Sequence, residues 1–279
     1  MNTEQYFFKR SGLAAMSDLK RPEYKGIYAH LQKEQEAFLS HEAHFRGHAY
    51  KWPRDPLHCW SRIWEYPYVY YHLKSEKESL ESKIDLKVID LGSGATFFPF
   101  ALAKLGYHVQ CLDIDPICGC DLQRAILTVP HQPGKVDFSL ISENRLPEED
   151  DKVDVIYCIS VLEHIPNFKA TVKEIDRVLK PGGLFILTID LDLCGYLDIG
   201  VEKYHDLRQC LARFFEIIEP EISIHPLDVL IQHQSVSTLQ QLNFDIRQWI
   251  RMIRGKSRCY KYPNLAVWGA VMRKRRSFR

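Results

Sequence analysis

The chain has 279 residues, 46% of them hydrophobic, and a formal net charge of +1. That length and balance support one sizeable core with an appended segment, and exclude both a disordered chain and a globally basic nucleic-acid binder. Met1 to Gly26 is polar and interrupted, and no apolar run approaches bilayer length, which is read as a cytoplasmic protein without export signal or membrane span. The eight cysteines lack CxxC pairs, so reduced thiols are expected rather than a disulfide or metal framework.

Residues 1–80 show no strand-rich pattern but carry dense clusters of Tyr, Trp and His, including Trp52-Pro-Arg-Asp-Pro and the run from Trp60 to Tyr71. A helical N-terminal cap is expected there, with most aromatics fixing the cap to the core and some free to wall a pocket. Tyr24 and Tyr28 would share a face if helical; Tyr66, Tyr68 and Tyr70 would share one if extended. His41, His44 and His48 would line one side of a helix, but they lack HExxH spacing, and no metal is expected.

From residue 84 to 190 the pattern alternates: strand 86–91, helix 96–105, strand 108–113, helix 117–128, strands 136–141 and 153–159, helix 167–179 and strand 183–190. Alternation of this kind predicts a parallel sheet with helices on both faces and a ligand outside the carboxyl ends of the strands. Residues 191–235 break into short helices and loops, read as an insertion over the active site within a core domain of residues 81–279. A helix near 236–242, the segment from Phe244 to Arg251 and the run from Asn264 to Met272 would close the sheet, the last as an antiparallel strand.

Chemistry concentrates in Val88-Ile-Asp-Leu-Gly-Ser-Gly-Ala-Thr96 and in Cys111-Leu-Asp-Ile-Asp115. Gly92 and Gly94 permit a sharp turn and close approach of a ligand, and Asp113 stands where a carboxylate can accept both hydroxyls of a ribose. Phe97 replaces the third glycine of a dinucleotide fingerprint. Asp90 beside the loop would repel a pyrophosphate and complement an ammonium and a sulfonium.

Two further segments join this loop: the strand exit Val153-Asp-Val-Ile-Tyr-Cys-Ile-Ser-Val-Leu-Glu-His-Ile165 and the turn Val178-Leu-Lys-Pro-Gly-Gly-Leu-Phe-Ile-Leu-Thr188. In order and spacing the set resembles the class I S-adenosylmethionine-dependent methyltransferases. The resemblance implies a Rossmann-like, doubly wound, mostly parallel seven-stranded α/β sheet with an antiparallel last strand. It implies S-adenosylmethionine as cofactor, S-adenosylhomocysteine as product, and transfer of a methyl group to O or N of a small-molecule acceptor. Carried over position by position, Asp90, Gly92, Ser93 and Gly94 would hold the methionine end, Asp113 the ribose, and Ile114 the adenine face, with Ser142 or Glu143 at the adenine amino group. Cys158, with Ile159 and Ser160, would lie beneath the methionine moiety or simply pack at the strand end.

Methyl transfer asks the protein to align a nucleophile and exclude water, and a hydroxyl acceptor also benefits from a base. His164 and Asp190 are the catalytic candidates, with Asp192, His205 and His225 behind them. The basic run Arg273 to Arg279 offers the alternative of an RNA or protein methyltransferase, although a solvated tail is the plainer reading; a cofactor-binding protein without turnover is the other alternative. The sequence sets no oligomeric state.

Overall fold

A computed structural model describes residues 7–79, 86–142, 145–193, 199–232 and 265–276. In chain order its elements are β1 (Gly12–Leu13), α1 (Pro22–Ser40), α2 (Glu42–Phe45), α3 (Arg62–Ser79), β2 (Lys87–Leu91), α4 (Phe98–Lys104), β3 (His108–Asp113), α5 (Pro116–Thr128), β4 (Lys135–Leu140), β5 (Val153–Ile159), α6 (Phe168–Val178), β6 (Leu179–Asp192), α7 (Val201–Phe214), β7 (Phe215–Ile217) and β8 (Leu265–Lys274).

The strands form one sheet in the order β1-β8-β6-β5-β2-β3-β4, with β7 also paired to β8. β2 to β6 run parallel, and β8 is antiparallel to β6. The sheet has eight strands rather than the expected seven, because the two-residue β1 adds to β8 through Gly12 and Leu13 opposite Gly269 and Trp268.

Period-two alternation sorts each central strand onto two cores. Val155 and Tyr157 face the core formed with α1, α3, α4 and α5. Ile156 and Cys158 face the core that contains α6 and α7. From β2 the chain winds to β4 on one side and returns to β5 on the other, so β2 and β5 flank the point where the order reverses, where a crevice opens in such sheets.

Most expected elements fall within two residues of those observed, the exception being β6, which begins at Leu179. The Pro181-Gly182-Gly183 turn is a bulge inside it: Leu179 pairs with Val153 and Leu184 with Val155, so residues 180–183 are looped out opposite Asp154. The segments expected at 236–242 and 244–251 lie outside the described residues.

The N-terminal region is helical, but it is tied into the sheet. Tyr24 and Tyr28 stack on α1 at 5.6 Å, as helical spacing demands. Tyr66, Tyr68 and Tyr70 lie on α3, a helix rather than a strand, so Tyr68 is turned away from Tyr66 and Tyr70, which are four residues apart. Pro67 inside α3 has no N–H to give Ile63, and the hydroxyl of Tyr24 donates to that Ile63 carbonyl at 2.8 Å instead. The segment before α1 is strapped along α3: Tyr68 donates to the Arg10 carbonyl (2.9 Å) and Trp64 to Asp18 (2.8 Å). The helix expected through His41, His44 and His48 breaks at His41, which caps α1 at φ −96°, ψ 0°, and among the described residues no cluster could hold a metal.

Candidate active site

The loops leaving β2 to β5, with Asp190 near the end of β6, converge on a cavity of about 790 Å³. β2 ends at Leu91, and the next residues must turn at once. Gly92 does so at φ +77°, where a Cβ would stand 2.5 Å from the side chain of Val161; Gly94 turns at φ +56°, where a Cβ would make ordinary contacts with Thr96 (3.6 Å) and Tyr50 (3.8 Å). The amides of Gly92 and Ser93 donate to the Leu112 carbonyl (2.8 and 3.1 Å), and the amide of Gly94 donates to Asp113 (2.8 Å). Three successive N–H groups are thus engaged within the protein, and the turn is not a phosphate cradle of free amides.

Asp113 is fixed from two sides, since its other oxygen accepts from the amide of Asp115 at 2.9 Å. Each carboxylate oxygen keeps a second lone pair, so both remain able to accept from a diol at the cavity surface. Ile114 follows, 58% exposed and lining the cavity, where an apolar side chain can cover a flat ring. Ser142 also lines the cavity beyond β4, in a bridge with Arg145; Glu143 lies outside the described residues.

Asp90 sits one strand inward, buried beside Tyr157, its register partner on β5. Burial pushes its carboxyl up to about 8, the Asp113 carboxylate adds to this, and the Tyr157 hydroxyl opposes it. Among the described residues no cation pairs with Asp90. A buried carboxylate of this kind, with a second at Asp113 and a turn bare of side chains at Gly92 and Gly94, fits a ligand that brings positive charge and a ribose.

A further part of the wall comes from the N-terminal region. Tyr50, Trp52, Pro56, Trp60, Arg62 and Tyr66 all line the cavity. Arg46 holds this segment against the glycine turn: its guanidinium lies 3.8 Å from the centre of the Tyr50 ring and donates to the Ala95 carbonyl at 3.0 Å. The amide of Gly47 donates to Asp121 on α5 at 2.9 Å. The described residues of the expected 191–235 insertion do not line the cavity; α7 packs on α6 at the other face of the sheet.

His164 and Asp190 are brought together in the cavity lining. Asp190, near the end of β6, has a carboxyl raised to about 7 by burial and by the charge of Glu65, with Arg62 opposing. Its Oδ1 is buried without a donor. Its backbone amide donates to Glu163 (2.9 Å), a buried acid whose carboxyl is also pushed up, chiefly by burial. Cys158 is not brought to the site: the alternation that puts Tyr157 and Ile159 at the cavity turns its side chain into the core of α6 and α7. Asp192, His205 and His225 do not line the cavity either.

Two functional-looking residues escaped the sequence reading, Arg62 and Glu65. They form an ion pair at the start of α3, and Glu65 is completely buried. Opposite charges three residues apart inside an aromatic run were the available signal. Of the basic run, Arg273 pairs with Glu76 and Lys274 with Asp151, both at 2.7 Å.

Residues 89–187 match the family model described as methyltransferase domain. Among similar sequences, the ubiquinone biosynthesis O-methyltransferase of Xylella fastidiosa (strain M23) is 31% identical over 148 residues, 52% of this chain and 55% of the relative. The protein of that name from Colwellia psychrerythraea is 28% identical over 136 residues, 47% of this chain and 54% of its own. The chain thus spans about half the length of the curated relatives it matches. A solved structure of the cyclase SpnF superposes with a TM-score of 0.54 at 17% identity, covering 95% of this chain and 99% of that one, a likeness of fold alone. The domain over residues 89–187 belongs to the class I S-adenosylmethionine-dependent methyltransferase family.

Proposed function

We propose that the protein transfers a methyl group from S-adenosylmethionine to an oxygen atom of a small-molecule acceptor. The observation that carries this is the shared cavity: the glycine turn with Asp90 and Asp113 lines the same space as Arg62, His164 and Asp190. The matched relatives, named as O-methyltransferases, support oxygen over nitrogen as the accepting atom.

In this reading Asp90, Gly92, Ser93 and Gly94 hold the amino-acid end of the cofactor and Asp113 binds the ribose hydroxyls. Ile114 packs against the adenine, and Ser142 or Glu143 meets its amino group. Bound there, the cofactor would supply an electrophilic methyl group. The chain's own work is to orient the acceptor and take up its proton, for which Asp190 and His164 are the proposed bases. A carboxyl held at about 7 is half ionised at neutral pH, the condition under which a base is most useful.

Residues between 50 and 66 wall part of the cavity, which favours a small acceptor over RNA or a folded protein. The described cysteines are all free, in keeping with a cytoplasmic location, and no helix among the described residues is long and apolar enough to cross a membrane. Titration calorimetry with S-adenosylmethionine and S-adenosylhomocysteine tests the cofactor, and transfer of labelled methyl groups into a metabolite extract tests the reaction. Failure to bind either nucleoside would remove the reading.

A further inference from the structure

We propose that Arg62 binds the reacting oxygen of the acceptor as an anion while Asp190 takes its proton, which makes the acceptor a small phenol. This rests on the cavity serving methyl transfer to oxygen.

Arg62 lies in the first turn of α3 and lines the cavity. Its Nη1 is engaged with Glu65 and with the Ser61 hydroxyl (3.2 Å), and among the described residues Nε and Nη2 have no protein partner. Glu65 cannot leave this arrangement, because it is fully buried and its other oxygen accepts from Ser160 at 2.6 Å. One edge of the guanidinium fork is therefore pinned, and the remaining donors are left for an occupant of the cavity. The other guanidinium of the lining, Arg145, stands beyond β4 beside Ser142, at the end assigned to adenine.

The charged groups around Asp190 are Arg62 and Glu65 from α3 and Glu163 from the turn after β5, with His164 lining the same cavity. An acceptor O–H placed between Arg62 and Asp190 breaks as its proton passes to the carboxylate. Asp190 becomes the neutral acid, and the oxyanion is met by the guanidinium. Acidity decides the acceptor class. A phenol ionises near pH 10, as tyrosine does, about three powers of ten from a carboxyl held at about 7. An aliphatic hydroxyl, close to water at 15.7, is nearly nine powers of ten away. Pro56, Trp60, Tyr66 and Ile165 supply apolar, largely flat walls that suit an aromatic ring.

The test is a spectroscopic titration of the full-length protein with 4-nitrophenol, with and without S-adenosylhomocysteine, one unit below the probe's own midpoint. The expected result is the phenolate band on binding to the wild type, retained in Arg62→Lys. In Arg62→Met the band should vanish or affinity should fall by about 10- to 100-fold. Because that variant leaves Glu65 buried and unpaired, Arg62→Met with Glu65→Gln is measured beside it and should show the same loss. Probe bound as the neutral phenol, or an unchanged phenolate band in both Met variants, would overturn the assignment. Since the probe is read with and without the nucleoside, failure of S-adenosylhomocysteine to bind would count against the cofactor reading separately.

Discussion

Glu65 on α3 and Ser160 at the exit of β5 are joined by a 2.6 Å hydrogen bond that spans 95 residues of sequence. Ser160 itself sits at φ +46°, a left-handed conformation that a non-glycine residue holds only when its surroundings require it. The bond thus fixes the N-terminal helix to the strand end that lines the cavity. Ser160→Ala should remove the only donor that the described residues give to a fully buried carboxylate oxygen and cost about 1–3 kcal/mol in urea denaturation. A change smaller than a few tenths would mean that Glu65 finds another partner.

Asp113→Ala removes a carboxylate that accepts from both Gly94 and Asp115 and stands where a ribose would lie. Affinity for S-adenosylhomocysteine should fall by about 2–4 kcal/mol, measured by calorimetry. Unchanged affinity would mean that the ribose lies elsewhere.

Gly92→Ala meets two obstacles at once, a backbone at φ +77° and a Cβ 2.5 Å from Val161. Stability should drop by about 1–3 kcal/mol. Adding Val161→Ala should recover the steric share and leave the backbone share, which thermal unfolding of the two variants resolves. Full recovery would show the backbone angle to be inconsequential.

Asp90 and Asp190 set the pH response of the unliganded protein. Both carboxyls are raised in the folded state, from 3.8 to about 8 and about 7, so the folded protein binds more protons than the unfolded chain between these limits. Their contribution to stability is therefore fully present below pH 3.8 and is lost as pH rises through about 7 and 8. Urea midpoints of Asp90→Asn and Asp190→Asn should decline less than the wild type between pH 5 and 9; parallel curves would refute the assignment. By the same argument, a cation bound beside Asp90 should expel its proton near neutral pH. Calorimetry in buffers of different ionisation enthalpy reads that release, and Asp90→Asn should abolish it.

Much of this was legible in the sequence because local rules and the fold agree. Strands β2 and β5 are short, mostly apolar runs with nowhere to go but a buried parallel sheet, and the glycine turn and Asp113 follow from what a ribose ligand asks of a strand end. The wall of residues 50–66 was not legible, since whether an aromatic cluster glues or lines depends on tertiary placement. The two readings of Cys158 could not be separated for a simpler reason: one step along a strand reverses the face, and the sequence does not say which face holds the ligand. β1 was invisible, being two residues whose strand character exists only because β8 offers an open edge.

The pairing of β1 with β8 also bears on how the chain is made. Gly12 is translated well before its partner Gly269, which lies in the last described strand. The early helices can form as they leave the ribosome, but their strap cannot lock until that distant strand arrives. Synthesis therefore passes through a stage in which Trp64 and Tyr68 of α3 lack the cover that Gly269 of β8 gives them in the folded protein.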